Sequence, residues 1–293
     1  MIATYGLLGM AILSVWLPGV PVGRAVRVPV WSVLLLAAIV CGLVTGYLGA
    51  KALASIGGLA ALAYTTARLE RQQGTPWLRR AMLAATIVLS LVLALHLAPG
   101  FSNPRVIDQL QVSADGAPFT QYLNFDKGVV GLLLLAFLCQ RARSWAELAS
   151  ASSVTALGIA RAIVAVMACA VLLGYVRVDL KLPEVTLTFL LVNLLGTCVA
   201  EEAFFRGLLQ DRLAALLRHR RHGPALAVVI ASLLFGAAHL AGGWKAGLLA
   251  TMAGIGYGVA YQRSRKIETA IAAHFLLNAV QFLAFTYPYL LKH

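Results

Sequence analysis

Long uncharged, mostly apolar runs alternate with short basic segments along almost the whole chain. A helix that spans a membrane needs about 20 mostly apolar residues, and most of the runs approach that length. We therefore predict eight to ten transmembrane helices, which make an all-α, polytopic bundle. One run is short, and a partly re-entrant segment is left open there. The uncharged runs are Met1–Gly23, Pro29–Ala50, Ala52–Ala67, Ala81–Pro104, the short Gly128–Gln140, Ala162–Val176, Val185–Ala200, His222–Trp244, Ala246–Gln262 and Thr269–Leu291.

The composition excludes an ordinary soluble protein. Apolar residues make up 60% of the 293 residues and charged residues 12%, about half of the 25% typical of globular proteins. A soluble domain of this size would leave very large apolar patches exposed. The net charge is +13, but the basic residues form short clusters and no nucleic-acid recognition motif accompanies them. We expect a lipid bilayer around the chain and no binding to nucleic acid.

The basic clusters also predict an orientation, because cytoplasmic loops of membrane proteins are enriched in Lys and Arg. If the most basic loop, 206–221, is cytoplasmic, alternating the loops places 16 basic residues inside, Arg24 among them, and 7 outside, Lys292 among them. The segment 99–127 carries Pro, Gly, Asn and Ser at turn positions and predicts a structured external loop. We expect an integral, multi-pass protein in a bacterial inner membrane.

Two adjacent acids stand at the end of an apolar run. Glu202 lies four residues before Arg206, which suits an ion pair on one helical face. Glu201 points about 100° away from that face. A carboxylate that has lost part of its hydration takes up a proton readily, as a general base requires. Glu201 is therefore a candidate base, and Glu202 with Arg206 is a candidate pair that orders the site.

Further polar residues lie on two other predicted helices of the C-terminal half. His239 ends an otherwise apolar run, and His274 and Asn278 share one helical face. Polar groups inside a membrane are costly and are candidates for function. Amide hydrolysis needs a base for water and donors for the oxyanion. Glu201 and His239 suit the first role, and His274 and Asn278 suit the second.

The polar residues of the C-terminal half form three motifs, in the order Glu201-Glu202-x-x-x-Arg206, Phe235-x-x-x-His239 and His274-x-x-x-Asn278. These motifs resemble the signatures of the CPBP intramembrane proteases, the family of the type II CAAX prenyl endopeptidases and of bacterial bacteriocin-processing and self-immunity proteins. The resemblance covers roughly 183–290. It implies a helical bundle that cleaves peptides at a water-filled cavity, with Glu201 and His239 activating water and His274 and Asn278 stabilising the oxyanion.

We therefore divide the chain into an accessory transmembrane bundle, residues 1–150, with the external loop of about 99–127, and a catalytic transmembrane core, residues 151–293. The expected substrate is a membrane-associated peptide or protein, and a prenylated C-terminus is one possibility among others. No cofactor is expected. Zinc is left open as the less favoured alternative, with Glu201, His239 and His274 as its ligands.

Two rival functions use the same polar cluster: a membrane transporter and a non-enzymatic membrane scaffold. The depth of the site is a further question. Counted from the loops, Glu201 lies near the inner face and His239 lies roughly 20 Å deep. We expect the helix of Glu201 to continue past Arg206, with the site a few turns below the cytoplasmic surface.

Overall fold

The computed structural model describes residues 1–22 and 26–291, so Arg24 and Lys292 of the charge count lie outside the described residues. The described part of the chain contains ten helices and two short antiparallel hairpins. The helices are α1 (Ile2–Trp16), α2 (Val30–Val44), α3 (Ala50–Arg71), α4 (Pro76–Ala94), α5 (Phe125–Phe137), α6 (Trp145–Leu172), α7 (Thr186–Leu216), α8 (Gly223–Ala238), α9 (Trp244–Ser264) and α10 (Ile267–Ala284). The hairpins pair β1 (Val20–Val22) with β2 (Val26–Val28) and β3 (Arg105–Leu110) with β4 (Phe119–Tyr122).

The helices confirm an all-α, multi-pass membrane protein. Five of them, α3, α4, α6, α7 and α10, are long and apolar enough to cross a membrane. Three shorter apolar helices, α1, α2 and α8, bring the number to eight, which is the lower end of the eight to ten spans predicted from the uncharged runs.

The chain forms two compact units, each described here by itself. The first unit comprises Met1–Pro104, Leu123–Cys139 and Leu195–Phe204. Its centre is α5, which packs against α1, α3, α4 and the Val199–Glu202 part of α7. Gly131 of α5 permits this approach to α7, because a Cβ atom at that position would lie 2.9 Å from the Cα atom of Ala200.

The second unit comprises Arg105–Tyr122, Gln140–Leu194 and Phe205–His293. Within it, α9 packs against α6, α8 and α10. Small residues allow α8 and α9 to approach closely, since a Cβ atom at Gly236 would lie 2.6 Å from the carbonyl oxygen of Gly247. The predicted external loop contains the β3–β4 hairpin and is therefore structured, as its turn residues predict.

Helix α7 carries both acids and is less regular than the sequence argument assumes. Its Val199–Glu202 part is α-helical, but π-helical segments, Asn193–Cys198 and Ala203–Gln210, flank it. The assumption of an unbroken 3.6-residue period from Glu202 to Arg206 is therefore wrong, because a π-helical segment intervenes. Such π-helical turns are frequent at functional sites. The helix does continue past Arg206, to Leu216, as expected.

Candidate active site

A cavity of about 160 Å³ in the second unit contains three of the predicted site residues. His239, His274 and Asn278 all line it, together with Gln281 one turn further along α10. A volume of this size holds several water molecules. The structure therefore brings the two histidines and the asparagine together at one small, partly polar cavity within an otherwise apolar bundle.

The ring of His239 has a defined orientation. His239 directly follows the last residue of α8, and its Nδ1 atom lies 2.8 Å from the carbonyl oxygen of Phe235. A carbonyl oxygen only accepts hydrogen bonds, so Nδ1 carries the proton and donates it. In the neutral ring the lone pair is then on Nε2. His239 therefore presents a nitrogen that can take a proton from water.

His274 is almost completely buried and lies between aromatic rings. Its exposed fraction is 4%. The ring stacks on Tyr257, with centroids 4.7 Å apart and planes inclined by 14°, and it meets the ring of Phe235 edge to face at 5.7 Å. These contacts fix the plane of the imidazole, which a directional hydrogen-bond donor requires.

Asn278 lies one turn after His274 and contacts α7. Its Nδ2 atom donates a hydrogen bond to Oδ1 of Asn193, over 3.2 Å. Asn193, at the start of the first π-helical segment, is 7% exposed. The bond fixes the side-chain amide of Asn278, and an amide N–H group held in place is a suitable donor to an oxyanion.

Arg206 is completely buried and contacts the same aromatic rings as the two histidines. Its guanidinium carbon lies 4.7 Å from the ring centroid of Phe235 and 5.3 Å from that of Tyr257. Its Nη2 atom donates to the carbonyl oxygen of Gly254 over 3.0 Å. Phe235 also contacts His239, with centroids 4.5 Å apart. Arg206 can therefore order the cavity through these rings.

Sequence reasoning missed Tyr257, which stacks on His274 and is 2% exposed. An aromatic residue inside an apolar run carries no polar signal. Gly254, near Tyr257 on α9, allows the close approach of Arg206, whose Nη2 atom would lie 3.1 Å from a Cβ atom at Gly254.

Glu201 and Glu202 belong to the first unit. Glu202 is completely buried. The Oε1 atom of Glu201 forms an ion pair with Nζ of Lys127, over 2.7 Å, and the two side chains are only 16% and 17% exposed. Lys127 is not among the site residues predicted from the sequence.

The length of α8 gives the position of the histidine cavity along the second unit. His239 is separated from Gly223 by the whole of α8, about 24 Å of helix, which is close to the depth counted from the loops, and Tyr175, just after α6, lines the same cavity. The depth of the site below the cytoplasmic surface stays a prediction. In the first unit, Glu201 pairs with Lys127 in the first turn of α5, directly after the loop 99–127.

A second cavity, of about 820 Å³, is lined by aromatic and basic residues. Tyr175 lines both cavities, and Arg177, Trp244 and Lys245 line the second. Burial, and then the neighbouring Tyr289, raise the pKa of Tyr175. Its hydroxyl group therefore remains protonated at neutral pH and can donate a hydrogen bond to an entering group.

A metal site needs several ligands close together. Within either unit taken by itself, the described residues include no group of three His, Cys, Asp or Glu side chains that could hold a metal ion. The three zinc ligands considered above belong to different units, Glu201 to the first and His239 and His274 to the second.

Residues 183–280 match the family described as type II CAAX prenyl endopeptidase Rce1-like. The matched segment contains all seven named motif positions, from Glu201 to Asn278. The resemblance stated for the C-terminal part of the chain is thus confirmed. It supports a CAAX-protease-like intramembrane peptidase at the level of the family. No curated protein and no solved structure matches the chain.

Proposed function

We propose that the protein is a glutamate-type intramembrane endopeptidase that hydrolyses a peptide bond of a membrane-associated protein or peptide. Glu201 and His239 activate the water molecule, and His274 and Asn278 stabilise the oxyanion. Glu202 and Arg206 order the site without touching the substrate. The observation that carries the proposal is the cavity that His239, His274 and Asn278 share in a segment of the matched family.

The proposed reaction begins with proton transfer from water to the base formed by Glu201 and His239. The resulting hydroxide attacks the carbonyl carbon of the scissile bond, and the carbonyl oxygen becomes an oxyanion. Hydrogen bonds from His274 and Asn278 stabilise that charge in a site with little water, where such bonds are strong. The C–N bond then breaks, and the proton held by the base passes to the leaving amine.

The tautomer of His239 supports this division of roles. The hydrogen bond from Nδ1 to Phe235 leaves the lone pair of the neutral ring on Nε2, the state in which a histidine accepts a proton.

We propose that the reaction proceeds without a metal ion, and that the partners of the protein are the bilayer and its peptide substrate, with no nucleic acid. Two residues on separate helices can activate water if their protonation states are matched to the task. Stoichiometric zinc in the purified protein, with activity lost on chelation and restored by zinc, would instead make Glu201, His239 and His274 its ligands.

Glu201→Gln tests the proposal. The variant keeps the shape of the side chain and removes the base, so the folded, membrane-inserted protein should lose cleavage entirely. The measurement compares membrane-associated peptides, by mass spectrometry of their ends, in cells that carry the wild type or the variant. Glu184→Gln, at an exposed loop position, makes the same chemical change away from the motifs and should leave the peptide ends unchanged.

A peptide end that disappears with Glu201→Gln and persists with Glu184→Gln identifies both the activity and its substrate. If Glu201→Gln leaves every peptide end in place, the peptidase proposal fails. The cluster would then serve one of the two rival functions, a transporter or a scaffold.

A further inference from the structure

We infer that Lys127, outside the family match, is a positioning residue of the active site. Its ammonium group holds the carboxylate of Glu201 ionised and in a fixed orientation. This inference rests on the role of Glu201 in the proposed function. It assigns part of the site to α5, a helix that the sequence analysis places in the accessory bundle.

The contact is close and is shielded from solvent. Nζ of Lys127 donates to Oε1 of Glu201 over 2.7 Å, and each side chain is less than a fifth exposed. The backbones are also held in place here, because Gly131 of α5 packs against Ala200, the residue before Glu201. The ion pair thus joins two helices that are in close contact on either side of it.

The neighbouring acid of α5 has partners of its own. Asp126 is 1% exposed, and its carboxylate contacts Nδ1 of His96 over 2.8 Å and accepts a hydrogen bond from Nδ2 of Asn103 over 3.1 Å. Asn103 in turn accepts a hydrogen bond from the N–H group of Phe125, which begins α5. These contacts fix the first turn of α5, and therefore the position from which Lys127 extends to Glu201.

The chemistry explains why a base at this position needs a cation. Burial removes water from a carboxylate and favours its neutral form, which cannot accept a proton. An ammonium group at hydrogen-bond distance favours the ionised form instead. Because the ammonium binds Oε1, it also restricts rotation of the carboxylate, so that the same oxygen faces the reacting water in each turnover.

A hydrophobic carbodiimide tests this inference without any substrate, because it reacts with a protonated carboxyl group in an apolar environment and leaves a stable adduct. The full-length protein in its membrane is treated with dicyclohexylcarbodiimide at neutral pH, and adducts at Glu201 are measured by peptide mass spectrometry. In the wild type we expect little modification. In Lys127→Met we expect the modification of Glu201 to increase about tenfold. This is the change in the protonated fraction of Glu201 that follows from the loss of about 1.4 kcal/mol of ion-pair stabilisation.

Two variants serve as controls. Lys127→Arg retains the cation and should be modified as little as the wild type. Lys51→Met removes a lysine from an exposed position of the first unit and should also leave the modification unchanged. Lys127→Gln, less apolar than Met, provides a second neutral variant if Lys127→Met does not fold, with folding checked by size-exclusion chromatography in detergent.

Equal modification of Glu201 in wild type and folded neutral variants, or high modification in Lys127→Arg, would overturn the inference. A second measurement repeats the peptide-end comparison with the lysine variants. Lys127→Arg should retain cleavage, and the neutral variants should lose most of it. The labelling requires no turnover, so the two proposals can fail separately. If Glu201 is labelled as expected in the lysine variants but Glu201→Gln leaves cleavage unchanged, the proposed function is contradicted and the role of the ion pair is supported.

Discussion

Arg206 lies over the rings of Phe235 and Tyr257, and these rings also contact the histidines of the cavity. A planar guanidinium can lie over both rings and still donate to the carbonyl oxygen of Gly254. A lysine ammonium has the same charge but is a compact, strongly hydrated point charge that does not stack. The shape of Arg206, and not merely its charge, therefore holds the rings against His239 and His274.

Arg206→Lys should consequently keep the charge and impair the site. Loss of the stacking and of the well-directed hydrogen bond should cost about 1–3 kcal/mol of stability, and cleavage should fall because both imidazoles lose their support. The measurements are the unfolding temperature in detergent and the amount of the product peptide. Arg220→Lys, at an exposed position between α7 and α8, is the control, and an equal effect of both variants would refute the role assigned to Arg206.

At the scale of helices, the contact between α8 and α9 determines the position of His239. A Cβ atom at Gly236 would collide with Oγ1 of Thr251 and with the carbonyl oxygen of Gly247. Gly236→Ala should therefore push α8 away from α9 and destabilise the protein by about 1–3 kcal/mol, as overpacking does. Size-exclusion chromatography and the unfolding temperature measure the effect.

Two further variants separate overpacking from a general effect of alanine. Gly57→Ala, at a position in α3 with open space around it, should be neutral or stabilising by up to about 1 kcal/mol, because alanine is the better helix former. The double variant Gly236→Ala/Thr251→Ala should recover part of the lost stability, because one of the colliding atoms is gone. Destabilisation by Gly57→Ala as large as that by Gly236→Ala would contradict the packing argument.

The sequence could predict the elements that a local pattern specifies. Apolar runs predict the helices, and three short motifs predict the residues of the histidine cavity. Two features have no local pattern. The π-helical segments of α7 interrupt the 3.6-residue period between Glu202 and Arg206, and no residue type marks these segments in the sequence. Lys127 and Glu201 are 74 residues apart in the chain, and from the sequence Lys127 is only the last residue of a loop.

At the scale of the whole molecule, the orientation of the helices in the membrane decides on which side a substrate would be cleaved. Within the second unit, the histidine cavity lies towards the ends of α6 and α8, the end that also carries Arg177 and Lys245. Within the first unit, Glu201 pairs with the first turn of α5. The count of basic residues places these helix ends on the outer side in both units. They nevertheless carry basic residues, namely Lys127, Arg177 and Lys245.

We predict that tags at Arg143 and Lys266 are cytoplasmic and that a tag within 113–118 is external. The physical reason is the excess of 16 over 7 basic residues on the predicted cytoplasmic side, since Lys and Arg in short loops resist translocation. The structure makes the two cytoplasmic positions a consistent pair, because Nζ of Lys266 donates to the carbonyl oxygen of Arg141 and contacts Glu147. Accessibility to an impermeant thiol reagent, at single cysteines in a variant without the four native ones, measures all three positions.

The outcome also fixes the side on which peptide ends are released. With the predicted orientation, the cavity lies towards the outer ends of α6 and α8, and new peptide ends should appear outside the cytoplasmic membrane. If position 113–118 is protected and position 143 is labelled from outside, the whole topology inverts, and the same cavity serves substrates on the cytoplasmic side. A mixed result, with positions 143 and 266 on opposite sides, would contradict the contacts between their neighbours and therefore the helix arrangement of the second unit.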